Sequence, residues 1–328
     1  MAGKTIPIIV LGIESTAHTL GIGIVKDGKV VANEKSMLFE YGIHPRKTAD
    51  HHADIFPEVL DSAMKKAKIK LKDIDLIAFS QGPGIGPCLR ISSIAARAIS
   101  LEYNKPVVGV NHCVAHIEIS KHFTKFKDPL VLYVSGGNTQ ILVKEKGRYR
   151  ILGETLDIGI GNMLDNFARS VGLKNAREVE ESAAKAKGYI QLPYSVKGMD
   201  ASFSGILTKA QKKSKTETRE DLCHSIQETA YASLCEITER ALALTGKREV
   251  VICGGVAQNK RLQEMLKEIS NEWGCRFGVA PNEFNADNGG MIAYVGYLLA
   301  KKRKIKKHLL KPDKITPKPK YRTDEFEI

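Results

Sequence analysis

The first apolar run of the chain, Ile8 to Gly12, is continuous enough to predict a buried strand. A polar turn, Glu14-Ser15-Thr16-Ala17-His18, leads to a second strand at Leu20 to Val25, and Asp27-Gly28 turns the chain into a third strand opening at Val30-Val31. The pattern returns downstream: strand Leu130 to Val134, polar turn Ser135-Gly136-Gly137-Asn138-Thr139, strand Gln140 to Val143, turn Lys146-Gly147, strand Tyr149 to Leu152. Ile55, Val59, Ala63 and Ala67 are spaced by four, as are Leu222, Ile226, Ala230 and Leu234, so both segments predict amphipathic helices. Each precedes a short apolar strand, Leu76 to Phe79 or Val250 to Cys253, and a glycine turn, Gly82 to Gly86 or Gly254-Gly255. A helix (Leu89 to Leu101; Leu262 to Ile269), a strand (Val107 to Val110; Phe277 to Ala280) and a last helix from about His112 or Asp287 complete each half.

The repeated order predicts two α/β lobes, each with a mixed sheet, around a cleft. The expected division is an N-terminal lobe over 1–129, a C-terminal lobe over 130–300, and a tail over 301–328. The offset between matching elements grows from about 122 to about 172, which places about fifty extra residues, roughly 153–205, in the second lobe as an insertion suited to substrate specificity.

Charge changes the picture at one end. The net charge is +13, and the Lys-rich stretch 301–322 carries most of it. Such a tail is either a solvated end or an electrostatic contribution to holding a polyanion such as RNA. The six cysteines, at 88, 113, 223, 235, 253 and 275, include no CxxC pair and read as reduced thiols. The apolar run after Met1 to Pro7 is too short for a signal segment or a membrane span, so a cytoplasmic protein without membrane attachment is expected.

The turns and helix starts suggest ligands. Four turns (Glu14 to Thr16, Gly82 to Gly86, Ser135 to Thr139, Gly254 to Asn259) lie between a strand and its successor, where backbone N–H groups suit phosphate, and together they favour a nucleotide. His112 and His116 stand four apart on one helix face, a spacing that lets both imidazoles reach one metal ion. The duplication pairs the helix start at His112 with that at Asp287, so Asp287 is expected to supply a third ligand from the opposite lobe. Two imidazoles and a carboxylate leave positions open for substrate. A zinc peptidase would need Glu beside the first His, where Cys113 stands.

These residues carry a resemblance. Gly12-Ile13-Glu14-Ser15-Thr16-Ala17-His18-Thr19, Ser80 to Gly84, Gly109 to His116, Tyr133 to Gln140, Gly153 to Gly159, Lys197 to Asp200 with Ser202 to Gly205, and Asp287-Asn288-Gly289 resemble the universal tRNA threonylcarbamoyladenosine transferase family. They are most similar to its archaeal and eukaryotic branch, the catalytic subunit of the KEOPS complex. The resemblance covers nearly the whole chain, down to Arg322-Thr323-Asp324-Glu325.

It implies an actin-like (ASKHA) fold of duplicated ribonuclease-H-like lobes about a central nucleotide cleft. The implied activity is transfer of threonylcarbamoyl from threonylcarbamoyl-AMP to the N6 amine of the adenosine 3′ to the anticodon, in tRNAs reading codons that start with A. The implied metal ligands are His112, His116 and Asp287, with Tyr133 touching the metal or the substrate. Nucleotide contacts fall on Tyr133, Val134, Ser135, Gly136, Gly137 and Asn138, and on Asp165, Glu180 and Asn259. The implied cofactors are one divalent metal, iron with zinc or magnesium as alternatives, and an ATP or AMP moiety. The implied partners are tRNA, a small kinase/ATPase subunit and a dimerising subunit. No separate general base is assigned. Lys174 to Glu178 departs from the family pattern, being shorter and lacking glycine. An actin-like ATPase or small-molecule kinase, and a non-catalytic nucleic-acid binder, are the alternatives.

Overall fold

The computed structural model describes residues 8–38, 44–301 and 305–328. Residues 1–7, read above for targeting signals, lie outside the described residues, as do 302–304 of the basic tail. The chain divides into two compact units: Met1–Ile119 with Ala286–Ile328, and Ser120–Asn285.

In the first unit β1 (Ile9–Glu14), β2 (Thr19–Lys26) and β3 (Lys29–Met37) form an antiparallel meander. Asp27 and Gly28 both take positive φ, 50° and 80°, which suits the right-handed twist of a two-residue hairpin. α1 (Pro45–Ala67) leads to β4 (Leu76–Gly82), and α2 (Gly86–Tyr103) to β5 (Val107–Asn111). α3 (His112–Thr124) begins on the very next residue. β4 pairs parallel with β1 and β5 parallel with β4, giving the order β3-β2-β1-β4-β5. β1 and β4 are buried along their whole length, which is why Ile9 to Ile13 and Leu76 to Phe79 read as unbroken apolar runs. Leu11, Ile13, Ile22, Ile77 and Phe79 pack with Val59 and Ala63 of α1 and with Ala96 of α2.

The second unit repeats that order. β6 (Leu130–Val134), β7 (Thr139–Glu145) and β8 (Arg148–Glu154) form the meander, with Lys146 and Gly147 again at positive φ. Then come α4 (Ile160–Ser170), α5 (Ala176–Ala183), the pair β9 (Val196–Lys197) and β10 (Asp200–Ala201), and α6 (Ser204–Lys213). The added segment thus runs on through α6, past the boundary expected near 205. α7 (Arg219–Thr245), β11 (Glu249–Cys253), α8 (Lys260–Glu272), β12 (Arg276–Val279) and α9 (Asn282–Asn285) complete the unit. The sheet order is β12-β11-β6-β7-β8, with β6 antiparallel to β7 and parallel to β11. Its core sets Leu132, Val134 and Ile252 against Ile226 and Leu234 of α7 and Phe167 of α4.

The last segment differs from the expected division. Residues 286–300 belong with the first unit rather than with a lobe spanning 130–300. α10 (Gly289–Lys301) lies on β1 and β2. Its seat is a seam of glycines: a Cβ added at Gly12, Gly23 or Gly289 would overlap backbone atoms of Ala293, Gly290 or Gly23 respectively. Backbone rests on backbone there, and no larger residue fits. Gly23→Ala is expected to lower stability by about 1–3 kcal/mol, the usual cost of overpacking a tight core. Thermal denaturation checks this beside Gly205→Ala, whose added Cβ meets nothing within 4 Å.

The tail is not a solvated end either. Ile315, Phe326 and Ile328 are buried, and Leu310 N donates to the Val107 carbonyl at 2.9 Å. The exposed lysines around these anchors hide a spacing that follows neither helix nor strand period.

Candidate functional site

Three elements of the first unit end together. β1 delivers Glu14 at its last position, α3 delivers His112 and His116 from one face, and the turn just before α10 delivers Asp287. Nε2 of His116 lies 3.1 Å from Asp287 Oδ1, and Nε2 of His112 lies 3.5 Å from the same oxygen. The two rings are edge to face, with centroids 4.7 Å apart. One ligand atom from each of the three side chains falls within 4.8 Å of the others. Ligands at about 2.1 Å from a tetrahedral ion stand about 3.4 Å from one another, so this trio could hold a divalent cation. The expected pairing of the two helix starts is present. Asp287 does not, however, come from an opposite lobe: the glycine seam seats α10, and hence Asp287, in the same unit as the histidines.

Glu14 organises the trio. It is fully buried, and its Oε1 accepts from Thr16 N at 2.7 Å and from Thr16 Oγ1 at 2.6 Å. Its Oε2 accepts from His112 Nδ1 at 3.0 Å. A carboxylate can only accept, so Nδ1 of His112 carries the hydrogen and Nε2 is turned toward Asp287. This side-chain role of Glu14 is not among those expected from the sequence. Its signal was an acid closing an unbroken apolar strand, a position where a carboxylate is buried and must be paired.

The charges reinforce one another. Burial works against a charged His112, but Glu14 and Asp287 outweigh it and hold its pKa up at about 9. Burial pushes His116 down, only partly opposed by its hydrogen bond to Asp287. Burial alone would raise the Asp287 carboxyl, but His112 and His116 hold it well below the usual carboxylate range. A cation must displace the proton on His112 Nε2. Cation affinity is therefore expected to climb about tenfold per pH unit from 7 to 9 and to level off above, with about one proton released per ion. Calorimetry in buffers of different ionisation enthalpy checks both.

The other expected site residues lie in the second unit. Tyr133 and Val134 are buried at the end of β6. In the turn that follows, Ser135 N donates to Asn138 O at 2.8 Å and Asn138 N to Ser135 Oγ at 3.1 Å. Gly161 N and Asn162 N of α4 donate to the carbonyls of Ser135 and Gly136. Gly136 and Gly137 are exposed, and among the described residues neither N–H has an acceptor. This turn can therefore bind an anion. In the Glu14 and Gly82 turns most N–H groups are already spent: Ser15 N goes to Ser80 Oγ, Thr16 N to Glu14, Gly84 N to Pro319 O and Ile85 N to Thr16 O.

Asp165 spends Oδ1 on Ala176 N at 2.8 Å, and Glu180 spends Oε1 on Lys260 N at 2.9 Å at the start of α8. Asn259 caps α8 through Leu262 N at 3.0 Å and donates to Gln227 Oε1 at 2.9 Å. All three thus have structural duties, and Asn259 is the most fully committed. In the shortened segment Asn175 caps α5, accepting from Arg177 N and Glu178 N.

A family model for TsaD, tRNA N6-adenosine threonylcarbamoyltransferase, matches residues 28–294. The chain belongs to this family. It is 55% identical over 327 residues to the tRNA N6-adenosine threonylcarbamoyltransferase of Thermococcus sibiricus, covering 98% of this chain and 99% of that one. It is 49% identical over 330 residues to a probable bifunctional tRNA threonylcarbamoyladenosine biosynthesis protein of Methanothermobacter thermautotrophicus, covering 98% of this chain and 60% of that protein. Among solved structures, HypF of T. kodakarensis superposes with a TM-score of 0.66 at 15% identity, over 92% of this chain and 50% of that one. Component A of (R)-2-hydroxyglutaryl-CoA dehydratase from Acidaminococcus fermentans does so with a TM-score of 0.57 at 18% identity, over 90% and 99%. The fold is the actin-like one, and the chain is a tRNA-modifying transferase. Among the described residues no helix is long and apolar enough to cross a membrane.

Proposed function

We propose that the enzyme transfers the threonylcarbamoyl group of threonylcarbamoyl-AMP to the N6 amine of the adenosine 3′ to the anticodon, in tRNAs reading codons that begin with A. The observation that carries this reading is the convergence of His112, His116 and Asp287 in a chain of this family. The fit rests on donor chemistry: two imidazole nitrogens and a carboxylate oxygen suit a divalent transition ion, iron first with zinc as the alternative, better than they suit magnesium, which prefers all-oxygen ligands. When bound, such an ion supplies Lewis acidity toward the threonyl carboxylate or the carbamoyl oxygen.

The chain's own residues do the rest. Glu14 and Thr16 fix the His112 ring so that Nε2 faces Asp287. In the second unit the Gly136 and Gly137 N–H groups, with the turn over 135–138, receive the phosphate of the adenylate. Tyr133 contacts the substrate, and the oxygens of Asp165 and Glu180 not spent on helix starts accept from ribose hydroxyls. The donor is a mixed anhydride. The amine attacks the carbamoyl carbon, the carbon–oxygen bond to phosphate breaks, AMP leaves with the electron pair, and the amine proton passes to water or to the phosphate. No protein nucleophile is needed.

The bifunctional relatives suggest that a second activity accompanies this one, and a small kinase/ATPase subunit and a dimerising subunit are the partners this reading assigns. Exposed lysines between 306 and 320 add attraction for the RNA backbone. Incubation with donor, partners and unmodified tRNA, followed by mass spectrometry of the nucleosides, tests the reading. Appearance of N6-threonylcarbamoyladenosine with one AMP released per transfer supports it; AMP release without the modified nucleoside contradicts it.

A further inference from the structure

The C-terminal segment runs against the residues that hold the histidine site. Gln81 Nε2 donates to Thr316 O at 3.0 Å, and Lys318 N donates back to Gln81 O at 2.6 Å. Gly84 N donates to Pro319 O at 3.2 Å, in the same turn whose Ile85 N holds the Thr16 carbonyl. Fully buried Asn111 is the last residue of β5, directly before α3. Its Nδ2 donates to the carbonyls of Tyr321 at 3.2 Å and Arg322 at 3.0 Å, while its Oδ1 accepts from Val114 N at 3.1 Å. Gly82 has φ of 150°, and a Cβ there would overlap the Lys318 carbonyl. The segment is therefore seated to within an atom's width.

We propose that residues 316–322 form a strap that positions the histidine site, with Asn111 as the positioning residue that transmits its hold to His112. The physical route is short. The first N–H groups of a helix need outside acceptors, and the residue that supplies one sets the direction of the first turn. Asn111 is that residue for α3, and the strap carbonyls fix its amide. His112 is the next residue. A second route runs through Gly84, Ile85 and Thr16 to Glu14, the partner of His112 Nδ1. Tyr321 and Phe326, with ring centroids 6.1 Å apart, anchor the strap's far end.

This rests on the reading that the trio holds a cation, and two variants of the full chain test it. Asn111→Asp keeps the acceptor for Val114 N but loses both hydrogens given to the strap. Gly82→Ala keeps Asn111 and displaces Lys318. Each is titrated with cobalt(II) alone and followed by amide hydrogen exchange without metal. Both are expected to bind cobalt(II) about tenfold more weakly, at the lower end of what outer partners of metal ligands contribute. Both should also exchange faster over 112–118, with 262–279 unchanged. A strap that loosens, seen as faster exchange over 315–322, while cobalt(II) affinity stays at the wild-type value overturns the proposal. Wild-type protein that takes up no cobalt(II) overturns the reading of the trio itself and takes the strap's role with it. Because the two variants act on different ends of the contact, a folding failure in one leaves the other decisive.

Discussion

Alanine at both His112 and His116 is expected to abolish transfer to tRNA while leaving adenylate binding in place. The two imidazoles supply both nitrogens of the trio, and Asp287 alone cannot hold a transition ion against water. Lewis-acid stabilisation of developing charge is worth several kcal/mol, so the loss should reach about 10²–10⁴ in rate. Adenylate affinity should change less than about threefold, because the Gly136 and Gly137 N–H groups are untouched. Single-turnover transfer assays and equilibrium binding of AMP check the two halves. A double variant with full turnover would remove the metal from the chemistry.

Glu14→Gln has the second largest expected effect, although Glu14 lies outside the trio of His112, His116 and Asp287. Glutamine keeps the shape and can still accept from Thr16, but it presents an amide N–H where Oε2 accepted from His112 Nδ1. The neutral His112 ring must then carry its hydrogen on Nε2 rather than Nδ1, so the nitrogen facing Asp287 has no lone pair to give even after the ring loses its charge. Removing an outer partner of this kind typically costs about 10–100-fold in metal affinity, and the upper end is expected because the carboxylate is wholly buried. The same change removes a cause of the raised His112 pKa, so cation affinity should lose part of its dependence on pH between 7 and 9. Cobalt(II) titration of Glu14→Gln and Glu14→Asp across that range separates tautomer control from simple loss of charge: the aspartate variant should keep the full pH dependence and the glutamine variant only the part that Asp287 sustains.

The legible parts of the molecule are those where one local rule decides. The centres of β1, β4, β6 and β11 are buried on both faces, so each shows a continuous apolar run, and Asp27-Gly28 and Lys146-Gly147 mark hairpins by their need for positive φ. The HxxxH spacing brings His112 and His116 together because a helix sets residues four apart on one face. What was not legible depends on packing between distant segments. The duplication correctly pairs Asp287 with His112 but points to the wrong unit, since only the fit of Gly12 and Gly23 against α10 shows where that helix rests. The turn after β1 looked like a phosphate loop, yet its N–H groups go to Ser80 and Glu14. In the tail, eleven Lys and Arg residues over 301–322 surround Ile315 and precede Phe326 and Ile328, so the apolar anchors that bury it form no periodic pattern.

Anomalous diffraction from crystals loaded with one equivalent of cobalt(II) is the most direct measurement of the site. It should show one peak per chain, ligated by Nε2 of His112, Nε2 of His116 and a carboxylate oxygen of Asp287. An equivalent of bound cobalt located elsewhere, with those three side chains holding only one another, would contradict the metal site on which the proposed chemistry depends.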